Sequence, residues 1–594
     1  MPGLFGAINL QLTANPDCER VRGNLARMQR KLTHADHYCS SEWRVADKGA
    51  EIRQLGPGSL ICDYHDAQLR VAGQCFGTLE RGDPQLEWPN CLSGFFSLAC
   101  LDDSRQCFWL VSDKRAAEPI YYTVVAGILY FAPEVKALLE VAGVVKSVDY
   151  AALGALLACG HLYNHQSLFA GIHRLPGGHA VQIIDGRIVV IDYWRFQPGE
   201  SCGELSSQEL QSELATRVTE SVRRHLGNDG KAVILLSGGF DSRCILGAAL
   251  EAVDGEGCRL NTVSWGLDEG EDGTDAYVAA SIARDLGVNH TFMQRCSKRY
   301  GEQFAISNYL IDAQSEVVAY HPQEFHFMSQ LRQRGFDRVI RGDEAFGWSS
   351  RAYTLAGAFA RVGLRPLGSI DGLRDYFDPS YYSTMADANH EEHTRCWHQC
   401  KNMEPNTAKD FLYFTHRVQT YLAAAGYFKQ VLHDHRNPLI DDAILNMLGR
   451  VPSALRINKN LFTSMFNSRY LQLAAYPIAR SSGEENWGQL LDTPSPFRTY
   501  VSAQIADRHS SVWQIFNQRA MSQVLDGPLG APSRFAWKSR TRKVVLGACR
   551  AALRKVSPTA TDRNDGARIL RRKLDRTELL MRFLVVKNWH DTFL

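Results

Sequence analysis

The sequence of 594 residues lacks a charge bias, an internal repeat and any hydrophobic run long enough to cross a membrane. A formal net charge of +2 gives no overall attraction to nucleic acid. Residues 1–14 have neither the basic start nor the apolar centre of a secretory signal. The 15 cysteines follow no regular spacing, which favours reduced thiols over a disulfide framework. These absences predict a globular cytoplasmic protein with no membrane span and no nucleic-acid partner.

The length and the order of the sequence patterns predict two domains. A chain of 594 residues with 45% hydrophobic residues is too long for one core. Short apolar runs dominate the first third and include a hairpin signal at Asp185-Gly186. Segment 197–203 is the predicted linker, and alternating helix and strand patterns follow it, beginning with a helix over 205–226. We therefore predict domains at 1–196 and 204–594, the second with a basic helical extension at 534–594.

The most informative segment is a glycine turn between a predicted strand and a predicted helix. The apolar run 232–236 leads into Ser237-Gly-Gly-Phe-Asp-Ser242, and a helical pattern covers 244–252. Glycines let the backbone approach a ligand closely, and the first amides of a helix attract phosphate. Asp241 suits a magnesium ion that accompanies ATP, because a carboxylate repels phosphate. The segment predicts a pyrophosphate site, and the alternative is a tight turn capped by Ser242.

This turn resembles the signature of the ATP pyrophosphatase superfamily, whose members transfer AMP to a carboxylate. Four further segments are similar to the asparagine synthetase branch of that superfamily and occur in the same order: 259–266, 275–290, 338–348 and 435–442. The resemblance implies an α/β fold in which a doubly wound parallel sheet binds ATP and Mg²⁺. It also implies an amide-forming ligase that releases AMP and pyrophosphate.

The N-terminal third is similar to the glutaminase of that branch, an Ntn-hydrolase-like αββα sandwich. Segments 92–102, 111–115, 119–122 and 131–139 carry this resemblance. Pro2 stands where the family has its nucleophilic cysteine, and 72–76 replaces the glutamine-binding segment, so we expect a degenerate glutaminase without ammonia release. The alternative, in which Cys18, Cys39 or Cys75 replaces the nucleophile, provides no chain-terminal amine as base.

Among relatives without a glutaminase, the chain most resembles the lasso peptide cyclases. The resemblance rests on 341–348, on Asp410-Phe-Leu-Tyr413 with Arg417, and on Arg456-x-x-Lys459-x-Leu461. It implies a macrolactam synthetase that joins an Asp or Glu side chain of a ribosomal precursor peptide to the peptide's N-terminal amine. A leader peptidase and a leader-recognition protein are the implied partners. The alternatives are a β-lactam synthetase-like or ammonia-dependent enzyme acting on a small metabolite, and an inactive scaffold subunit.

The resemblance assigns the candidate site residues. The nucleotide site comprises Leu236, Ser237, Gly238, Gly239, Asp241, Ser242, Val263, Ser264, Gly266 and Gly342. The metal ligands are Asp241 and Asp343, and the catalytic candidates are Asp241, Asp343, Glu344, Lys459 and Arg480. Two departures from the family leave mechanism open, since Ile340 replaces the tyrosine of the β-lactam synthetase dyad and 479–483 contains no lysine. Arg480, Lys459 or Lys538 can take the place of that lysine.

Two other segments admit several interpretations. Segment 390–400 places His390, His393, Cys396, His398 and Cys400 at helical spacing, typical of either a zinc site or a solvated helix. Segment 534–576 holds 14 Lys or Arg residues against 3 Asp or Glu residues, a net charge of +11. Such a segment indicates a solvated basic face, or a surface that contacts ATP, an acidic partner protein or an acidic part of the substrate.

Overall fold

The computed structural model describes most of the chain. It covers residues 2–14, 17–56, 62–64, 68–76, 89, 92–102, 105–199, 205–253, 259–342, 347, 349–526, 566 and 568–594, with the backbone alone at 62–64 and 68–76. Within these ranges, no helix has both the length and the apolar character that a membrane crossing requires.

The N-terminal third forms two antiparallel sheets of six strands. Its strands are β1 (Gly3–Asn9), β2 (Cys39–Val45), β3 (Ala50–Gly56), β4 (Cys62–Tyr64), β5 (Gln68–Phe76), β6 (Ser93–Asp102), β7 (Cys107–Ser112), β8 (Tyr121–Val125), β9 (Ile128–Ala132), β10 (His173–Arg174), β11 (His179–Ile184) and β12 (Arg187–Asp192). The first sheet has the order β10-β8-β9-β1-β3-β2, and the second has the order β12-β11-β7-β6-β5-β4. The predicted hairpin joins β11 to β12, and both turn residues have positive φ, 50° at Asp185 and 71° at Gly186.

The two sheets share an apolar core. Leu4 and Ile8 of the first sheet lie in one buried cluster with Leu101 and Phe108 of the second. The helices of this region are α1 (Cys18–Leu32), α2 (Val135–Leu138) and α3 (Tyr150–Cys159). Helix α1 contacts β1, which is buried along its whole length. The predicted sandwich is therefore confirmed.

The second region is built around a parallel sheet of five strands. They are β13 (Ala232–Leu235), β14 (Asn261–Gly266), β15 (Asn289–Gln294), β16 (Arg338–Ile340) and β17 (Asp434–Arg436), in the order β15-β14-β13-β16-β17. The chain runs outward from β13 first to one side and then to the other, so the connection reverses between β13 and β16. Ligands of doubly wound sheets bind at such a reversal, beyond the carboxyl ends of the strands. The predicted fold class is confirmed.

The helices that precede or connect these strands are α4 (Ser207–Leu226), α5 (Phe240–Ala252), α6 (Asp275–Asp285), α7 (Tyr300–Leu310), α8 (Val317–Tyr320) and α9 (Glu324–Gln333). The sequence predicted α4 at 205–226 and α5 at 244–252. Helix α4 starts after a capping box made by Ser206 and Glu209. Helix α5 begins at Phe240, four residues before the predicted start. The prediction was wrong because Gly239 serves as the N-cap, and this places Asp241 and Ser242 in the first helical turn.

The remaining residues are mostly helical. Their elements are α10 (Leu355–Val362), α11 (Pro379–Cys400), α12 (Pro405–Leu412), the π-helix Tyr413–Leu422, α13 (Ala423–Gln430), α14 (Asp442–Leu448), α15 (Ser453–Arg456), α16 (Asn460–Arg469), α17 (Leu471–Ala474), α18 (Trp487–Asp492), α19 (Pro496–Ala506), α20 (Gln518–Asp526) and α21 (Arg576–Phe593). Helix α21 lies in the core, where the buried Arg582 donates to Glu316 at 2.6 Å and to the Leu157 carbonyl at 2.8 Å. Most of the basic segment 534–576 lies outside the described residues.

Candidate active site

A cleft of about 340 Å³ opens at the carboxyl ends of β13 and β14. Six residues of the predicted nucleotide site line it: Leu236, Ser237, Ser242, Val263, Ser264 and Gly342. They come from the ends of β13, β14 and β16 and from the start of α5, so the connection reversal of the sheet brings them together.

The glycine turn is closed by bonds between its own residues. The Ser237 amide donates to the Ser242 hydroxyl at 3.1 Å, and the two hydroxyl oxygens lie 2.9 Å apart. The Gly239 amide donates to the Ser237 hydroxyl at 3.2 Å. Gly238 fits where no side chain does, because a Cβ atom there would lie 2.5 Å from the Ala479 Cβ. The turn is therefore a preformed loop with close backbone packing.

A carboxylate already binds one amide of this loop. Asp275, the first residue of α6, accepts the Gly238 N–H at 2.7 Å. Burial raises the pKa of Asp275, and the negative charge of Glu484 adds to the shift. The Gly238 N–H is therefore occupied by Asp275, and a phosphate bound to this amide would have to displace that carboxylate. Sequence reasoning placed Asp275 only at the start of a helix.

Arg243 fixes the loop from beneath, and sequence reasoning gave it no role. Its guanidinium is fully buried and donates to the Gly238 carbonyl at 2.5 Å and the Tyr476 carbonyl at 2.9 Å. Burial lowers the pKa of Arg243. The residue follows the glycine motif directly, but its second partner, Tyr476, lies 233 residues away, so only the fold reveals that contact.

Lys459 is brought to the first turn of α5. Its ammonium lies 2.5 Å from a carboxylate oxygen of Asp241. Asn458 and Lys459 both have positive φ, 57° and 58°, a strained backbone for residues with side chains. The Lys459 amide donates to the Gly347 carbonyl at 2.7 Å. The segment after β16 is therefore tied to Lys459, although Asp343 and Glu344 lie outside the described residues.

Gly347 makes that attachment possible. Its φ is +84°, and a Cβ atom there would lie 1.8 Å from the Arg456 carbonyl oxygen. Arg456 is itself buried and donates to Asp410 at 2.8 Å. Residues 410, 456 and 459, noted separately in the sequence, therefore belong to one connected support beside the cleft.

Two other predicted residues stand apart from the cleft wall. Arg480 is 62% exposed, forms an ion pair with Asp272, and donates its amide to the Gly273 carbonyl at 2.7 Å. Gly266 ends β14 and accepts the Arg295 amide at 2.8 Å. Among the described residues, neither belongs to the lining of the cleft. Lys538 lies outside the described residues.

A charged wall that the sequence did not predict also lines the cleft. We define it by His321, Glu324, Lys429 and Glu484. Lys429 and Glu324 form a buried ion pair at 2.6 Å. Burial alone raises the pKa of Glu324, but Lys429, His321 and Arg295 outweigh burial and lower it to about 2. These residues come from three separate segments, and no local pattern connects the three.

The π-helix Tyr413–Leu422 completes the cleft beside this wall. Tyr421 and Leu422 at its end line the cavity, and the Arg417 guanidinium lies 4.4 Å from the centre of the Tyr421 ring. π-Helical turns are rare and frequent at functional sites. The sequence had marked this region through Asp410-Phe-Leu-Tyr413 and Arg417 but not its helix type.

Segment 390–400 does not form a metal site. It belongs to α11, where His393 contacts the Tyr163 hydroxyl at 3.2 Å and the Cys396 sulfur contacts His416 at 3.3 Å. In the part of the chain that the structure describes, no group of three His, Cys, Asp or Glu residues can hold a metal ion. The zinc interpretation is therefore wrong here, because the inward residues of α11 serve packing.

Buried ion pairs join the sandwich to the second region, which is built around the parallel sheet. Arg115 donates to Asp442 at 2.5 Å, and Arg436 donates to Glu118 at 3.0 Å. Burial raises the pKa of Glu118 to about 7, although Arg436 opposes the shift.

Pro2 is buried against Gly56, at the end of β3. Of the alternative nucleophiles, Cys18 and Cys39 are exposed, and the side chain of Cys75 lies outside the described residues.

Two family models match the chain. A glutamine amidotransferase domain matches residues 83–194, and asparagine synthase matches residues 213–546, more than half of the chain. Amidase chyE of Penicillium rubens is 27% identical, with 33% of this chain and 31% of the relative covered. Asparagine synthetase [glutamine-hydrolyzing] 2 of Bacillus subtilis is 28% identical, and the match covers 33% of this chain and 27% of the relative. A putative asparagine synthetase [glutamine-hydrolyzing] of Mycobacterium bovis is 25% identical, and the match covers 34% of this chain and 31% of the relative. The matches thus span less than a third of each relative's length.

Proposed function

Because the chain belongs to the asparagine synthase family, we propose that it is an ATP-dependent amide-forming ligase that releases AMP and pyrophosphate. The single observation that carries the proposal is the closed glycine loop between the carboxyl end of β13 and the first turn of α5, at the connection reversal of the sheet. A loop of this kind at a connection reversal binds phosphate groups.

In the proposed reaction, a substrate carboxylate oxygen attacks the α-phosphorus of ATP, and pyrophosphate leaves. An amine nitrogen then attacks the acyl carbon, the bond to AMP breaks, and the nitrogen loses a proton. The pyrophosphate lies on Ser237, Gly238, Gly239 and Ser242, and the adenine lies near Leu236, Val263, Ser264 and Gly266. Gly342 forms the floor between them.

Mg²⁺ fits the residues beside this loop. Asp241 supplies the hard oxygen that Mg²⁺ prefers, and it carries the Lys459 ammonium at 2.5 Å, which supports a cation at this position. We propose Asp241 and Asp343 as its protein ligands, with phosphate oxygens and water as the others. Magnesium, when bound, neutralises charge on the departing pyrophosphate.

Lys459 is the proposed replacement for the lysine that 479–483 lacks. Its ammonium is 21% exposed and within reach of the first turn of α5, whereas Arg480 lies on the surface with Asp272. Lys459 would hold negative charge on the phosphate that is transferred. Arg480 would act from the rim, and Glu344 remains a candidate for proton transfer.

For the substrate, we propose a ribosomal precursor peptide whose Asp or Glu side chain is joined to its own N-terminal amine, giving a lasso peptide macrolactam. Pro2 in place of a cysteine supports an amine that does not come from glutamine. A leader peptidase and a leader-recognition protein would then act with this enzyme. The second candidate is a synthetase that amidates a small carboxylate, because two of the matched relatives are named asparagine synthetases, although both names also state glutamine hydrolysis.

The test is to incubate the purified protein and ATP with peptides that carry a free N-terminal amine and an internal Asp or Glu. The expected result is release of AMP and pyrophosphate, with a product lighter by one water. Turnover of free aspartate and ammonia instead would support the second candidate. Release of ADP and phosphate, or no nucleotide turnover with any substrate, contradicts the proposal and favours a scaffold subunit.

A further inference from the structure

The charged wall of the cleft has no part in the nucleotide site just proposed. His321 and Glu324 come from the segment that joins α8 to α9, Lys429 from α13, and Glu484 from the segment before α18. All four residues line the cavity that also holds Ser237 and Ser242. A bound nucleotide on the glycine loop would therefore leave this wall for the other reactants.

The wall carries one more negative charge than its fixed cations balance. Glu324 is held by Lys429 at 2.6 Å, while Glu484 and Glu485 share the single guanidinium of Arg295 at 3.1 and 2.6 Å. With Asp275 and Arg341, which also line the cleft, four carboxylates face three permanent cations. The low pKa of Glu324, about 2, keeps that carboxylate charged at neutral pH. The residual charge favours one additional cation in the cleft.

His321 lies between two of these carboxylates. Its Nδ1 atom is 3.7 Å from Glu324 and 3.6 Å from Glu484. Its side chain is 33% exposed, and its Nδ1 atom has no hydrogen-bond partner in the described part of the chain. Both carboxylates lie beyond hydrogen-bond distance of the ring, so they act on the imidazole through their charge. Nearby negative charge stabilises the imidazolium that forms when the ring takes a proton from a ligand in the cleft.

We propose that this wall is the subsite for the amine substrate, a primary ammonium group, and that His321 takes the proton from its nitrogen. The inference rests on the proposed function and extends it to a residue that the sequence did not indicate. Glu484 and Glu324 attract the ammonium form, and the residual negative charge of the wall is neutralised when the amine binds. After proton transfer, the imidazolium of His321 carries the positive charge in the same place.

The chemical step balances without another reactant. The lone pair of the amine nitrogen forms a bond to the acyl carbon of the adenylate, and the bond from that carbon to the AMP oxygen breaks. AMP leaves with the electron pair of that bond. The proton that the attacking nitrogen must lose passes to the imidazole of His321 and then to solvent when the products leave.

The test separates adenylation from amide formation in the full-length protein. Pyrophosphate exchange into ATP measures adenylation of a peptide whose N-terminus is acetylated, so that it cannot cyclise. Hydroxylamine, which is largely unprotonated at neutral pH, traps the same adenylate as a hydroxamate without a base. Ring closure of the peptide with a free N-terminus measures the step that needs His321.

For His321→Gln, we expect exchange and hydroxamate formation within threefold of wild type and ring closure at least a hundredfold slower, the usual contribution of a general base. Imidazole added to His321→Ala should restore part of the lost ring closure. His326→Gln is the matched control, because His326 lies exposed on α9 outside the cleft lining and forms a hydrogen bond with Gln330 at 3.0 Å. Thermal unfolding of each variant checks that the fold is intact.

Glu484→Gln provides a second test that does not change the base. With the acetylated peptide and ethylamine, which is protonated at neutral pH, we expect the KM for ethylamine to rise about tenfold because one charged contact is lost. The KM for hydroxylamine should not change.

Four results would overturn the inference. Normal ring closure in His321→Gln excludes His321 as the base. An equal loss of pyrophosphate exchange and ring closure in a folded variant means that His321 serves adenylation or the structure of the site. An unchanged KM for ethylamine in Glu484→Gln excludes the ammonium subsite. A wild-type protein that shows neither exchange nor hydroxamate with any peptide contradicts the proposed function itself, and the inference with it.

Discussion

The two sides of the cleft are built in opposite ways. On one side, Ser237 to Ser242 form a continuous turn whose contacts lie within six residues of sequence, apart from Asp275 and Arg243. On the other side, His321, Lys429 and Glu484 are separated by about 160 residues and meet only in the folded chain. The proposed binding on the continuous side uses the backbone of one short turn, whereas the proposed binding on the dispersed side uses side-chain charge. The difference explains why one side is readable as a motif and the other is not.

The largest effect is expected from a substitution on the continuous side, at Asp241. Asp241→Asn keeps the size of the side chain and removes the charge that holds Lys459 and the proposed magnesium. We expect pyrophosphate exchange to fall about a thousandfold, because charge stabilisation of the departing group is lost. The control is Asp272→Asn, which makes the same change in an exposed ion pair. Equal activity of the two variants would remove the glycine loop from the mechanism.

The next effect concerns the stability of the dispersed side. Lys429→Met keeps most of the apolar packing but leaves Glu324 buried without its cation. In the wild type, the pKa of Glu324 is lowered to about 2, below its unfolded value, so the ion pair stabilises the protein above the unfolded pKa. That contribution, about 3 kcal/mol, is lost as the pH falls toward 2.

The measurement is the free energy of unfolding in urea between pH 7 and pH 2 for both proteins. Lys429→Met should be about 3 kcal/mol less stable at pH 7, and the difference should shrink on acidification. A difference that stays constant with pH would mean that Lys429 stabilises the fold through packing and not through Glu324.

A third change tests the close packing of the loop. Gly238→Ala introduces a Cβ atom 2.5 Å from the Ala479 Cβ, so the loop must shift by about 1 Å. A displacement of this size costs up to about a hundredfold in activity. We expect a higher KM for ATP and a slower pyrophosphate exchange. Gly368→Ala is the control, since nothing lies within 4 Å of its added Cβ. If Gly238→Ala and Gly368→Ala had similar activity, the glycine loop would accommodate the added Cβ atom without loss of function.

The smallest effect distinguishes two candidate cations on the continuous side. Lys459→Met removes a charge-assisted bond to Asp241, which corresponds to about a thirtyfold loss of exchange. Arg480→Met removes an exposed pair with Asp272 and should cost no more than about threefold. The ratio of the two exchange rates is the readout. A larger loss for Arg480→Met would transfer the role of the family lysine from Lys459 to Arg480.

Sequence patterns predicted those parts of the fold that depend on local order. The parallel sheet, the hairpin at Asp185-Gly186 and the glycine turn each follow from neighbouring residues, and all three are present. The start of α5 was misplaced because Gly239 caps the helix and the apolar pattern begins only at Cys244. Arg243 and Asp275 were visible beside motifs, but their partners were not. His321, Glu324 and Lys429 carry no local signal, since burial and charge pairing between distant segments define them.

The ion pairs between the sandwich and the second region have a consequence for the stability of that region. Arg115 and Glu118 lie in the sandwich, while Asp442 and Arg436 lie in the segment that leads from β17 into α14. Loss of the sandwich would remove Arg115 from Asp442 and Glu118 from Arg436, which also pairs with Asp434, and buried charges that lose counterions are costly. A sandwich that supplies no ammonia, as proposed from Pro2, would therefore still stabilise the second region through the charges that it neutralises.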